Sequence, residues 1–119
     1  MHEMSLAMRI IEIATTEAEK AQARTINEIE VEVGTLAGVM AEALAFCLDA
    51  AARDTLAQGA TFTLTPVPGL GHCLTCQRDV EVNEFPAQCP ECSGYGVRIT
   101  AGTELKIRAI SVNEDEERG

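Results

Sequence analysis

The chain has 119 residues, a net charge of −10 at neutral pH, no Trp, one Tyr and three Phe. That length fits one compact domain, or a domain with a small insert, whose core must come from Ile, Leu, Val, Ala and Met. The acidic balance excludes the clustered Lys and Arg on which nucleic-acid binding rests, and no run approaches the length of a membrane-spanning helix.

The N-terminus carries acid where a signal peptide would carry base, so the expected location is cytoplasmic, with no membrane insertion. Residues 4–22 read as a first helix. Ile10, Ile13, Ala14 and Ala18 recur at helical spacing, with Leu6 and Ala7 one turn earlier, and Arg9, Glu12, Glu17 and Lys20 suit the solvent side. A strand follows, with Ile29, Val31 and Val33 on one face and Glu28, Glu30 and Glu32 on the other, ended by Gly34.

A second, Ala-rich helix is expected over residues 39–57, with Leu44, Cys47, Leu48 and Ala51 on one side and Gly59 as its stop. Cys47 reads as a small buried hydrophobe. Ala60, Phe62 and Leu64 then alternate with Thr61, Thr63 and Thr65, the clearest strand pattern in the chain. Pro66, Pro68, Gly69 and Gly71 break it. Val80 with Val82, and Val97 with Ile99, mark two short strands, and Leu105, Ile107 and Ala109 begin a last one.

The expected fold is α+β: a three-stranded sheet with two helices packed on it, plus an inserted four-cysteine zinc-ribbon lobe. The divisions are residues 1–66 as one lobe, completed by a strand at 103–112, residues 67–102 as the zinc lobe, and residues 113–119 as an acidic tail.

The inserted lobe is recognised by Cys73-Leu74-Thr75-Cys76 and Cys89-Pro90-Glu91-Cys92, separated by twelve residues. Two C-x-x-C knuckles bring four soft sulfur donors to one point, as a closed tetrahedral Zn(II) site requires. Two disulfides are the competing pairing, but nothing else in the chain looks secreted. Four thiolates leave no open position for catalysis, so the protein reads as a non-enzyme. His72 directly precedes the first knuckle. It is a surface residue, a hydrogen-bonding or exchange partner of the site, or a partner contact.

A second constellation lies at Met1-His2-Glu3. The Met1 amine, the His2 amide nitrogen and the His2 imidazole can chelate one ion in adjacent rings, with the Glu3 amide or carboxylate as a fourth donor. Nitrogen-rich donor sets of this kind suit Ni(II) or Cu(II) better than zinc. A histidine at position 2 is otherwise an exposed side chain without a task, and Glu3 a solvated acid at a helix start.

Met1-His2-Glu3-Met4-Ser5-Leu6 together with Cys73-x-x-Cys76 and Cys89-Pro90-x-Cys92 resembles the HypA/HybF family of hydrogenase maturation factors. The likeness spans the chain through Gly34-x-Leu36, Ala43-Leu44-x-Phe46, Gly59-Ala60 and Gly102-x-Glu104-Leu105. It implies a nickel metallochaperone that helps deliver Ni(II) to the [NiFe] hydrogenase large subunit, working with a HypB-type nickel-handling GTPase accessory protein. Nickel ligands would be Met1 through its amine, His2 through ring and backbone nitrogen, and Glu3 through its backbone nitrogen. Cys73, Cys76, Cys89 and Cys92 would hold a structural zinc. Some relatives carry a further acidic ligand at the start of the second helix, where this chain has Met40, with Glu42 nearby. Two other readings stay open: a zinc-stabilised protein-interaction adaptor, and a zinc-ribbon nucleic-acid binder disfavoured by charge and scarce aromatics.

Overall fold

The computed structural model describes the backbone of residues 2–114 and the side chains of residues 3–113. The Met1 amine, the His2 imidazole and nearly all of the acidic tail therefore lie outside the described residues.

Helix α1 spans His2–Lys20. Ala7, Ile10, Ile11, Ala14 and Ala18 are its buried face, and Ile13 is exposed. This corrects the expected stripe at one position. At about 100° per residue, Ile13 points well away from the line through residues 7, 14 and 18, and Ile11 falls on it. Strand β1, Ala23–Gly34, starts earlier than its alternation indicates. Ile26 is buried, as are Ile29, Val31 and Val33, so the buried parity slips by one between Ile26 and Ile29. The Ile26 N–H donates to the Leu56 carbonyl at 2.8 Å, an anchor that no local pattern announces.

Helix α2 is Ala41–Ala51, several residues shorter than expected at its C-terminal end. The residues beyond it compete with helical bonding. The Thr55 hydroxyl donates to the Ala52 carbonyl at 2.7 Å, and the Gln58 amide oxygen accepts the Asp54 N–H at 2.6 Å. Asp54 itself sits in the left-handed region at φ 64. Short polar side chains of this kind offer the backbone partners outside the helix and end it early. Within α2, Leu44 and Leu48 are fully buried.

Strand β2, Thr61–Val67, continues through Pro66. This is allowed because β2 is an edge of the sheet, whose order is β2-β1-β6, with β6 at Leu105–Glu114. The second sheet has the order β4-β3-β5, with β3 at Leu70–Cys73, β4 at Arg78–Glu81 and β5 at Val97–Ala101. β3 pairs antiparallel with both neighbours. Its sequence, Leu-Gly-His-Cys, has no β-branched residue and follows a Pro/Gly run that marks a boundary, so no local pattern announces this central strand. A Cβ on Gly71 would collide with the Val97 side chain, which explains glycine there.

The chain divides into two compact units: residues 1–31, 39–65 and 107–119, and residues 32–38 and 66–106. In the first, α1 packs against α2. Each fully buried Ile or Leu there contributes about 1.5–3 kcal/mol of hydrophobic stabilisation. In the second unit, the buried cluster is Cys73, Val80, Val82 and Cys89, with Cys76, Ala87 and Val97 half-buried around it. Two of its four central members are cysteines, so the packing of this small unit depends on what the thiols do.

Candidate metal centres

Each knuckle is a closed turn of the same form. The Gln77 N–H donates to the Cys73 carbonyl and the Ser93 N–H to the Cys89 carbonyl, both at 2.8 Å. Gln77 and Ser93, each directly after the second cysteine of its pair, are left-handed at φ 58 and φ 64. These turns aim backbone N–H groups at sulfur. The Cys76 amide reaches the Cys73 Sγ and the Glu91 amide the Cys89 Sγ, each at 3.4 Å.

The four sulfurs lie within 4.8 Å of one another, with Cys73–Cys92 at 3.8 Å and Cys76–Cys89 at 4.0 Å. A tetrahedron with metal–sulfur bonds of about 2.3 Å has edges of about 3.8 Å. A disulfide would need about 2.05 Å, far shorter than either of these separations. The set fits one thiophilic, tetrahedral ion. Cys73 and Cys89 are buried, Cys76 is half-buried and Cys92 exposed.

The protonation of the cluster points the same way. The Cys76 N–H holds the Cys73 thiol down from 9.0 to about 7, against an opposing push from burial. Cys76 is pushed up to about 12, first by its hydrogen bond with Cys92 and next by burial. One thiolate is stabilised by the turn, and Cys76 beside it then resists ionising. Four thiolates at this separation call for a cation among them.

His72 lies outside the sulfur cluster. Its Nδ1 is 2.9 Å from the Asp79 carboxylate, its direct cross-strand partner in the β3–β4 register. No local pattern marks Asp79, because the pairing depends on the register of β3. Cys47 is half-buried in α2 and is not among the four clustered thiols.

At the other constellation, His2 and Glu3 form the first turn of α1. The Glu3 carboxylate accepts the backbone N–H of Met40 at 3.1 Å. Met40 is the N-cap residue of α2 and makes no side-chain cap of its own. Position 40 carries no acid, and Glu3 brings a carboxylate to that helix start. Glu42 lies in the first turn of α2. Among the described residues, no helix is long and apolar enough to cross a membrane.

The family described as "Hydrogenase/urease nickel incorporation, metallochaperone, hypA" matches residues 1–112. A hydrogenase maturation factor HypA from Albidiferax ferrireducens is 38% identical over 112 residues, 94% of this chain and 99% of that protein. The HypA of Geobacter sulfurreducens is 40% identical over the same shares of both chains. The solution structure of the Ni metallochaperone HypA from Helicobacter pylori superposes with a TM-score of 0.70 at 20% identity, covering 97% of this chain and 100% of that one. The last likeness speaks for the fold, and the first three for descent. With its two knuckles and its M-H-E start, the chain belongs to the HypA family of hydrogenase maturation factors, which are nickel-incorporation metallochaperones and not enzymes.

Proposed function

We propose that this protein binds Ni(II) at its N-terminus and hands it to the [NiFe] hydrogenase large subunit, with a HypB-type GTPase as accessory. The ligands are the Met1 amine, the ring and backbone nitrogens of His2, and the backbone nitrogen of Glu3. The observation that carries this reading is the placement of His2 and Glu3 in the first turn of α1. The first four N–H groups of a helix have no intrahelical acceptor, so these amides can give up protons to a metal without breaking the helical ladder. The Glu3 carboxylate accepts the Met40 N–H, and the donor we assign to Glu3 is its main-chain nitrogen. A terminal, open site of this kind can take up an ion and release it.

Cys73, Cys76, Cys89 and Cys92 would hold zinc, which would cross-link the two knuckles and neutralise their thiolates. Four sulfur ligands suit a structural site. Reduced thiols of this number fit work in the cytoplasm. His72, anchored by Asp79, stands beside the first knuckle as an outer hydrogen-bonding or exchange partner.

The deciding experiment is a nickel titration of the zinc-loaded, untagged protein beside a folded, zinc-replete His2→Ala variant. Nickel binding lost only in the variant supports the N-terminal site. Equal binding in both sinks the His2 assignment. A zinc-loaded parent without nickel affinity marks a zinc-stabilised adaptor instead.

A further inference from the structure

The cysteine-bearing unit has a groove of about 480 Å³, lined in part by Glu81, Glu84, Phe85, Gln88 and Tyr95, with Cys89 of the thiol cluster at one wall. That is the size of a ligand-binding recess. Phe85 and Tyr95 on its walls are 62% and 63% exposed. In a chain with four aromatic rings and an aliphatic core, two of them stand in solvent at one groove.

The charge of the groove is one-sided. Glu81 and Glu84 line it, and no Lys, Arg or His does. Glu81 is also held in position. The Asn83 side-chain amide donates to its carboxylate at 2.8 Å, and the oxygen of the same amide accepts the Gly69 N–H at 2.9 Å and the Thr35 hydroxyl. Further along the lining, the Gln88 amide donates to the Ser93 carbonyl at 2.9 Å, tying that wall to the second knuckle. An anionic groove with pre-set walls and exposed ring faces has the requirements of a cation carried on a flat, extended chain. Carboxylates pair with guanidinium or ammonium groups, and ring faces attract the same cations.

We infer that this groove docks an extended basic segment of a partner protein, with an Arg or Lys side chain engaging Glu81, Glu84 and the rings of Phe85 and Tyr95. Complementarity of charge selects the occupant. A neutral proline-rich segment would use the rings but leave both carboxylates unmatched, and an acidic one would be repelled by a chain of net charge −10. The inference goes beyond the nickel reading and stands or falls without it.

The test uses the full-length, metal-loaded protein and three synthetic peptides of equal length: alternating arginine and alanine, the same with glutamate for arginine, and a proline-rich one without charge. Binding is followed by amide chemical shifts and fluorescence anisotropy. The arginine peptide is expected to shift amides of residues 81–95 saturably and to weaken as salt rises. Glu84→Gln and Tyr95→Ala, both exposed positions, should each weaken it about three- to tenfold with metal content unchanged. Shifts mapping elsewhere would overturn the proposal. So would equal binding of either control peptide, undiminished binding by both variants, or no binding at all.

Discussion

The Glu3 carboxylate caps the N-terminus of α2 from 37 residues away, accepting the Met40 N–H at 3.1 Å. The first turn of α1 is thereby tied to the start of α2, and one residue is asked for two things. Its side chain serves the helix, and its main-chain nitrogen is the donor we propose for the metal.

Those two tasks separate by mutation. Glu3→Ala removes the cap and is expected to lower stability by about 0.5–1 kcal/mol, the lower part of the range for lost helix caps. It keeps the amide nitrogen, so nickel affinity should hold. Glu3→Pro removes the nitrogen's proton at a position where a first-turn proline is tolerated, and nickel binding should fail. Urea unfolding and nickel titration of the two variants read these effects. If both variants bind nickel alike, the Glu3 nitrogen is not a ligand.

Nickel binding should weaken with acid. An ordinary imidazole titrates at about 6.5 and an α-amine at about 7.7–8.0, and both must lose protons to coordinate. Affinity is expected to drop steeply below about pH 6.5. Residues added before Met1 should weaken it at any pH. Isothermal titration across pH, with and without such an extension, checks both. A flat profile would remove the amine and the imidazole from the site.

In the metal-free protein, thiolate absorbance near 240 nm should show one ionisation at about pH 7 that vanishes in Cys73→Ser. Its sign follows from the depressed value. The stabilising contribution is present above the unfolded thiol's 9.0 and is lost as pH falls through about 7. Cys76, pushed up to about 12, contributes in the opposite sense, present below 9.0 and lost only in strong alkali. Metal loading should erase both midpoints, since bound thiolates stay deprotonated.

Removing a buried thiol of the cluster should unravel its unit. Cys89→Ser takes one of four sulfurs from the cluster and a fully buried member from the packing around Val80 and Val82. We expect loss of the bound metal and collapse of amide dispersion over residues 70–101, measured by metal analysis and NMR. Cobalt substitution gives a finer reading. A visible spectrum altered by His72→Ala places His72 in or against the coordination shell, whereas an unaltered one leaves it to Asp79.

Close backbone approach makes Gly34 intolerant of even one methyl. A Cβ there would strike the Gly102 carbonyl, and one on Gly102 would strike Gly69. Gly34→Ala is expected to cost about 1–3 kcal/mol through overpacking, seen as a lower urea midpoint.

The sequence by itself determined a good deal. The C-x-x-C pairs named the four sulfurs because turn chemistry is local and two short knuckles suffice to aim them. Alternation in residues 29–33 and 60–65, and helical spacing in residues 7–18, located most elements, because burial on one face imprints its period on the chain. Tertiary structure decided what depends on partners distant in sequence. It made a strand of Leu70–Cys73, whose residues have little β preference and which stands because β4 and β5 flank it. It paired His72 with Asp79 through that strand's register. It also gave a reason for two motifs that read only as family likeness. Gly34 donates to the Glu104 carbonyl and Leu36 to the Gly102 carbonyl, both at 2.8 Å. These segments need small residues because each lies in the other's backbone, a demand that neither segment can state alone.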